Sequence, residues 1–134
     1  LETSHVLPAL LRKFHEAKLS GDKDVVLWGS GTPLREFLHC DDLADALVFL
    51  LKHYSEDEHI NVGSGCEVTI RGLAETIARI VGYGAELEFD ATKPDGTPRK
   101  LMDSGRLHAL GWSNARSLED GIASTYSHWL ENQG

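Results

Sequence analysis

The sequence is poor in cysteine and has no long apolar segment. Cys40 and Cys66 are its two cysteines, which is too few for a disulfide framework and forms no C-x-x-C pair. We therefore expect two buried, reduced thiols, because free cysteine is among the side chains most often buried. No apolar run approaches the roughly 18 residues that a membrane-spanning helix requires, and no segment resembles a signal peptide. These features predict a cytoplasmic protein with no membrane contact.

Positive charge is also scarce. Lysine and arginine number 13 against 21 acidic residues, so the formal net charge is −8. A nucleic-acid-binding surface requires a basic face, so we predict no nucleic-acid partner. A local basic pocket for a phosphorylated small molecule remains compatible with this composition.

Complete catalytic and cofactor motifs are missing as well. The Gly-x-Gly motifs at 29–31 and 63–65 lack the third glycine of G-x-G-x-x-G, because Leu34 and Val68 stand there. The sequence contains no GxxxxGK[ST], GxSxG or HExxH, and its seven histidines show no metal-ligand spacing. We therefore expect neither a dinucleotide fingerprint nor a metal site in this chain.

The apolar pattern of the sequence predicts helices and strands that alternate along the chain. Four substantial helices and three short strands predict one domain over residues 1–134, of the α/β class or mixed α+β if the chain is an isolated fragment. Val25–Trp28 and His59–Val62 are predicted strands. A helix at about Asp41–His53 is apolar on most sides, which predicts a central position. Asp90–Lys100 is predicted as a long, irregular loop of the kind that often carries function.

The most informative stretch is Trp28–Asp42, between the first strand and that helix. Its glycines allow the backbone to approach a ligand, Trp28 offers a stacking face, and Arg35 can bind a phosphate or carboxylate with two hydrogen bonds. The alternative is a plain turn with a structural Arg35–Asp pair. Lys13, Arg99 and Lys100 also lie at element edges, where two or three cations could converge on a diphosphate or could each be solvated independently.

Four segments carry a resemblance to a known family. Ser4–Lys13, Trp28–Asp42, Ile60–Gly63 and Lys93–Lys100 resemble the GDP-L-fucose synthases, which are extended short-chain dehydrogenases/reductases. The Arg-Glu-Phe-Leu-His-x-Asp-Asp-Leu-Ala motif alone indicates only the wider nucleotide-sugar superfamily. The first and last segments are much more specific.

The resemblance implies an NADPH-dependent epimerase–reductase that converts GDP-4-keto-6-deoxy-D-mannose to GDP-L-fucose. His5 matches the family's acid/base histidine for epimerisation at C3 and C5, a role that suits the imidazole side chain, which can take up and release protons near neutral pH. The resemblance implies substrate-binding roles for five further residues: Lys13, Trp28, Arg35, Asp95 and Lys100.

The chain departs from that family in what it lacks. The Gly-rich fingerprint and the Ser…Tyr-x-x-x-Lys set are absent, and Cys40 does not correspond to the family's catalytic cysteine. Because the sequence also opens on Leu1 instead of Met, we expect a fragment that corresponds to the C-terminal substrate-binding part, without the N-terminal Rossmann domain. NADP(H) would then be bound mainly by that other domain, with none expected here, and the family's homodimer would also form mainly through it.

Two alternatives remain open at this stage. The chain could belong to an epimerase or dehydratase that acts on UDP- or dTDP-sugars, or it could be a non-catalytic nucleotide-sugar-binding module.

The missing motifs generate a first prediction. The purified chain supplied with NADPH and the keto-sugar should show no NADPH oxidation at 340 nm above a protein-free control, because it lacks a cofactor fingerprint. Clear turnover by the chain alone would contradict this expectation.

Overall fold

A computed structural model describes residues 5–84 and 86–132. In these residues short strands and helices alternate, which agrees with the predicted mixed α/β class. The helices are α1 (Val6–Ser20), α2 (Cys40–His53), α3 (Ile70–Val81), α4 (Gly105–Ala109) and α5 (Leu118–Glu131). The strands are β1 (Asp24–Trp28), β2 (Leu34–Glu36), β3 (Glu67–Thr69), β4 (Glu86–Asp90) and β5 (Arg99–Lys100).

The strands form two small sheets. In the first, β1 and β4 run parallel with five registered pairs, from Asp24–Glu86 to Trp28–Asp90. In the second, β2 lies in the middle, antiparallel to β3 and parallel to β5. The sharp turn from β1 into β2 therefore joins the two sheets, and the 90–100 segment joins them again from β4 to β5.

The main core lies between α1, α3 and the first sheet. Phe14, Leu73 and Ile77 are completely buried there. Helix α3 begins where predicted, because the Thr69 hydroxyl accepts a hydrogen bond from the Gly72 N–H at 3.0 Å. It ends at Gly82, whose φ of 76° is the left-handed conformation that glycine adopts most easily.

Helix α2 is not central, so that prediction is wrong. Ala46 is buried in a second, smaller cluster with Leu107 and Trp112. Other apolar side chains of α2 are 41–86% exposed: Leu43, Leu47, Val48 and Leu51. Only one side of the helix meets other described elements, so the remaining apolar positions face outward.

Two further sequence predictions are wrong, one about a strand and one about the burial of the cysteines. Residues 59–62 form no strand, because they are not paired with any strand in the described part of the chain. Cys40 and Cys66 are free thiols as predicted, but they are exposed instead of buried. Cys40 opens α2 and Cys66 directly precedes β3, so both stand where the chain enters an element at the surface. Among the described residues, no helix has the length and apolar character to cross a membrane.

The division between the buried core and the exposed face of α2 can be tested with a matched pair of leucines. Leu73→Ala should lower the free energy of unfolding by about 2–5 kcal/mol, because it opens a cavity in the core. Leu51→Ala, at a side chain that is 86% exposed, should change it by less than about 0.5 kcal/mol. Urea titrations of both variants provide the measurement, and equal losses would contradict the described packing.

Candidate functional site

A cavity of about 160 Å³ lies at the turn that joins β1 to β2. Three of the predicted site residues line it, namely Trp28, Arg35 and Asp95. The other lining residues are Val6, Gly31, Pro33 and Ile70. The cavity therefore brings together the aromatic, the guanidinium and the carboxylate that the sequence analysis selected from two distant segments.

The turn beside this cavity requires glycine at two positions. Gly29 and Gly31 have φ values of 88° and 77°, which side-chain-bearing residues rarely adopt. A Cβ at Gly29 would lie 2.4 Å from Asp95 Oδ1, and one at Gly31 would lie 2.5 Å from Phe89 Cε1. The glycines thus permit both the backbone conformation and the close approach of the 90–100 segment.

Asp95 fastens that segment to the turn. Its Oδ1 accepts a hydrogen bond from the Ser30 N–H at 2.6 Å, and its Oδ2 accepts one from the Ser30 hydroxyl at 2.8 Å. Ser30 was not predicted as a site residue. Its place between the two glycines of the loop was the available signal, because such a position leaves its N–H free to bind an acceptor.

Arg35 and Lys100 are brought together by strand register. They are direct partners in the parallel pairing of β2 and β5, so their side chains leave the same face of the sheet. Arg35 is half-buried, and its Nη1 donates to the Leu34 carbonyl at 2.7 Å. Two of the predicted cations therefore lie side by side on one face of the second sheet, and one of them, Arg35, also lines the cavity.

The alternative in which Arg35 pairs with an aspartate of its own stretch is not what the structure shows. Asp41 and Asp42 both bind Arg116, at 3.0 and 3.1 Å. Asp42 is buried, and the Arg116 N–H also donates to it at 3.3 Å. Arg116 thus holds the start of α2 against the segment before α5. Arg35 lines the cavity instead of pairing with these aspartates.

Lys13 and His5 are not among the residues that line the cavity, but each contacts or adjoins a segment that does. Lys13 Nζ donates to the Val26 carbonyl on β1, two residues before Trp28, and burial lowers the pKa of this ammonium group. His5 is the N-cap residue of α1, with extended backbone, and directly precedes Val6 of the lining. Arg99 is directed elsewhere, because it forms two hydrogen bonds with Glu67 at 2.6 and 2.7 Å.

Neither Gly-x-Gly motif is built to hold a dinucleotide. The 29–31 motif leads from one strand into another, and the 63–65 motif leads into β3, whereas a dinucleotide fingerprint opens a helix. The second motif binds a protein carboxylate instead, because the Gly65 N–H donates to Glu36 Oε1 at 2.6 Å. These residues do not fit an NADP pyrophosphate.

A larger cavity, of about 610 Å³, opens between the start of α2, β3 and α5. Phe37, Leu118 and Ile122 supply apolar walls, and Cys40 and Cys66 lie at its surface. Ligand atoms of His39, Cys40 and Asp41 lie within 4.8 Å of one another. His39 Nδ1 accepts the Asp41 N–H at 3.2 Å, so we interpret this group as the cap of α2.

The chain is similar to known proteins along nearly its whole length. Residues 1–63 match the NAD dependent epimerase/dehydratase family. GDP-L-fucose synthase 1 of Arabidopsis thaliana is 63% identical over 131 residues, which are 98% of this chain and 41% of that protein. The Escherichia coli K12 GDP-L-fucose synthase is 57% identical over 139 residues, covering 97% of this chain and 43% of that protein.

A solved structure agrees with these matches. The GDP-L-fucose synthetase of Naegleria fowleri bound to NADP superimposes with a TM-score of 0.88 at 32% identity, over 96% of this chain and 41% of that one. The chain thus spans about two fifths of the length of the relatives it matches.

The fold and the matched residues indicate one class of protein: residues 1–63 are similar to the NAD dependent epimerase/dehydratase family, and the described part of the chain has a mixed α/β fold found within extended short-chain dehydrogenases/reductases. Within that class it is similar to the GDP-L-fucose synthases along nearly its whole length. The resemblance found in the sequence is therefore confirmed, while the roles of individual site residues stay predictions.

The contact between the β1–β2 turn and Asp95 generates a prediction with an internal control. Gly29→Ala should lower the free energy of unfolding by about 2–4 kcal/mol, because both the backbone and the carboxylate must shift. Gly21→Ala has the same left-handed backbone, with φ of 74°, but meets nothing within 4 Å. It should cost only about 1 kcal/mol. Equal losses in denaturant titrations would show that the Asp95 contact adds nothing to stability.

Proposed function

We propose that this chain forms the substrate-binding part of an NADP-dependent GDP-sugar epimerase–reductase that makes GDP-L-fucose. The observation that carries the proposal is the cavity that Trp28, Arg35 and Asp95 line, with Lys100 in register beside Arg35. The identity of 57–63% to GDP-L-fucose synthases supports the same activity.

The chemistry of the cavity suits a nucleotide diphosphate sugar. The two cations can bind a diphosphate, and a guanidinium can form paired hydrogen bonds with its oxygens. Trp28 is 71% exposed, so its ring is available to stack on a base or a sugar. Asp95 can orient the turn while the neighbouring groups contact the ligand.

His5 would perform the proton transfers at C3 and C5. The 4-keto group of the substrate acidifies both carbons, and an imidazole can remove and return their protons near neutral pH. Lys13, about two turns further along α1, would contact the same substrate. Since neither Gly-x-Gly motif fits an NADP pyrophosphate, the hydride transfer to C4 is assigned to another part of the whole protein.

The proposal extends to where this chain lies within the whole protein. We propose that it is the C-terminal part, because both the Gly-rich fingerprint and Tyr-x-x-x-Lys are missing from its sequence. A cytoplasmic homodimer of the whole protein is proposed on the same family resemblance. An enzyme for UDP- or dTDP-sugars, or a non-catalytic module, is less well supported than the GDP-sugar enzyme, given the relatives above.

Ligand binding by the chain tests the proposal. Titration calorimetry with GDP and GDP-mannose should show weak binding that Arg35→Ala reduces about tenfold or more, because a charge-assisted hydrogen bond is lost. Arg12→Ala serves as the matched control, since Arg12 is exposed on α1 and bound to Glu16. Equal affinities of wild type and Arg35→Ala would remove Arg35 from the diphosphate site.

A further inference from the structure

A lysine to which the family resemblance assigns no role lies over the exposed ring of Trp28. Lys93 Nζ lies 5.6 Å from the centroid of this ring, which is within the range of a cation–π contact. We propose that Lys93, which lies over the Trp28 ring at the cavity wall, is a further ligand-binding residue and supplies a third cation in addition to Arg35 and Lys100. This inference rests on the proposed function, because it assumes that an anionic nucleotide occupies the cavity.

The position of Lys93 is fixed from both sides. On one side, the Lys93 N–H donates to the Asp90 carbonyl at 3.1 Å, in the turn that follows β4. On the other side, Asp95 is bound to Ser30 as described above. Lys93 thus lies in a short segment whose backbone is held at both ends, and its ammonium group lies over the Trp28 ring.

The charges around the cavity favour an anion. Arg35, Lys93 and Lys100 are positive, and both oxygens of Asp95 already accept hydrogen bonds from Ser30. Thr92 hydrogen bonds hold the pKa of Asp90 below its usual range, so that carboxylate stays charged and attracts Lys93 toward the turn. Three cations thus stand against two carboxylates, Asp90 and Asp95, so the balance here is positive in a chain whose net charge is −8.

The two partners of the contact would serve different parts of the ligand. A ring stacks on a base or sugar whether or not phosphate is present, whereas an ammonium group responds to the charge of the phosphates. Loss of Lys93 should therefore weaken the binding of GDP but not that of guanosine. Loss of the ring should weaken both.

The test compares two lysine variants of the full chain. Lys93→Gln should bind GDP about fivefold more weakly than wild type, since it removes one charge-assisted contact at an exposed site. Its affinity for guanosine should be unchanged. Lys52→Gln removes the same charge from an exposed lysine near the end of α2 and should leave both affinities unchanged. Denaturant titrations of each variant establish that the fold is intact.

The possible outcomes separate this inference from the proposed function. If wild type binds GDP and Arg35→Ala weakens it while Lys93→Gln does not, the role of Lys93 is refuted and the proposed function stands. If Lys93→Gln weakens guanosine as much as GDP, Lys93 acts by holding Trp28 and not as a cation for phosphate, which also refutes it. If wild type binds neither ligand, both proposals fall together.

Discussion

The parallel pairing of β1 with β4 is the constraint on which the candidate site depends. Five registered residue pairs join strands that are about sixty residues apart in sequence. The pairing continues one step beyond the strands, because the Gly29 N–H donates to the Asp90 carbonyl at 2.9 Å. As a result, the chain leaves both strands at the same end, and the 90–100 segment begins beside the glycine turn. Asp95 then needs only a short path to reach Ser30.

Much of the fold and of the site could be predicted because the signals are local. Glycine, proline, an aromatic and an arginine between a strand and a helix mark Trp28–Asp42 as a binding loop, and the structure places that loop at a cavity. The burial of α2 and the strand at 59–62 were predicted wrongly. Both depend on a partner surface, and an apolar pattern reports only that a face suits burial, not whether a neighbour is present to cover it.

Contacts between distant segments could not be predicted from the pattern, even where one of the residues that make them was selected. Ser30 and Asp95 are separated by 65 positions, and Lys93 reaches Trp28 across the same gap between two loops. The role of Glu36 could not be predicted either, since it accepts hydrogen bonds from the N–H groups of Gly65 and Met102 in two other segments. In each case the residue type is common, and only the tertiary pairing gives it a role.

The register of β5 has a consequence for its two adjacent cations. Arg99 binds Glu67 on one face of the second sheet, and Lys100 leaves the other face beside Arg35. If β5 slipped by one position, an arginine would replace the lysine next to Arg35, so the sign of the charge there would survive. The slip would, however, separate Arg99 from Glu67. The Arg99–Glu67 ion pair on the opposite face thus determines which cation lies beside Arg35, so the two neighbouring positive residues are not equivalent.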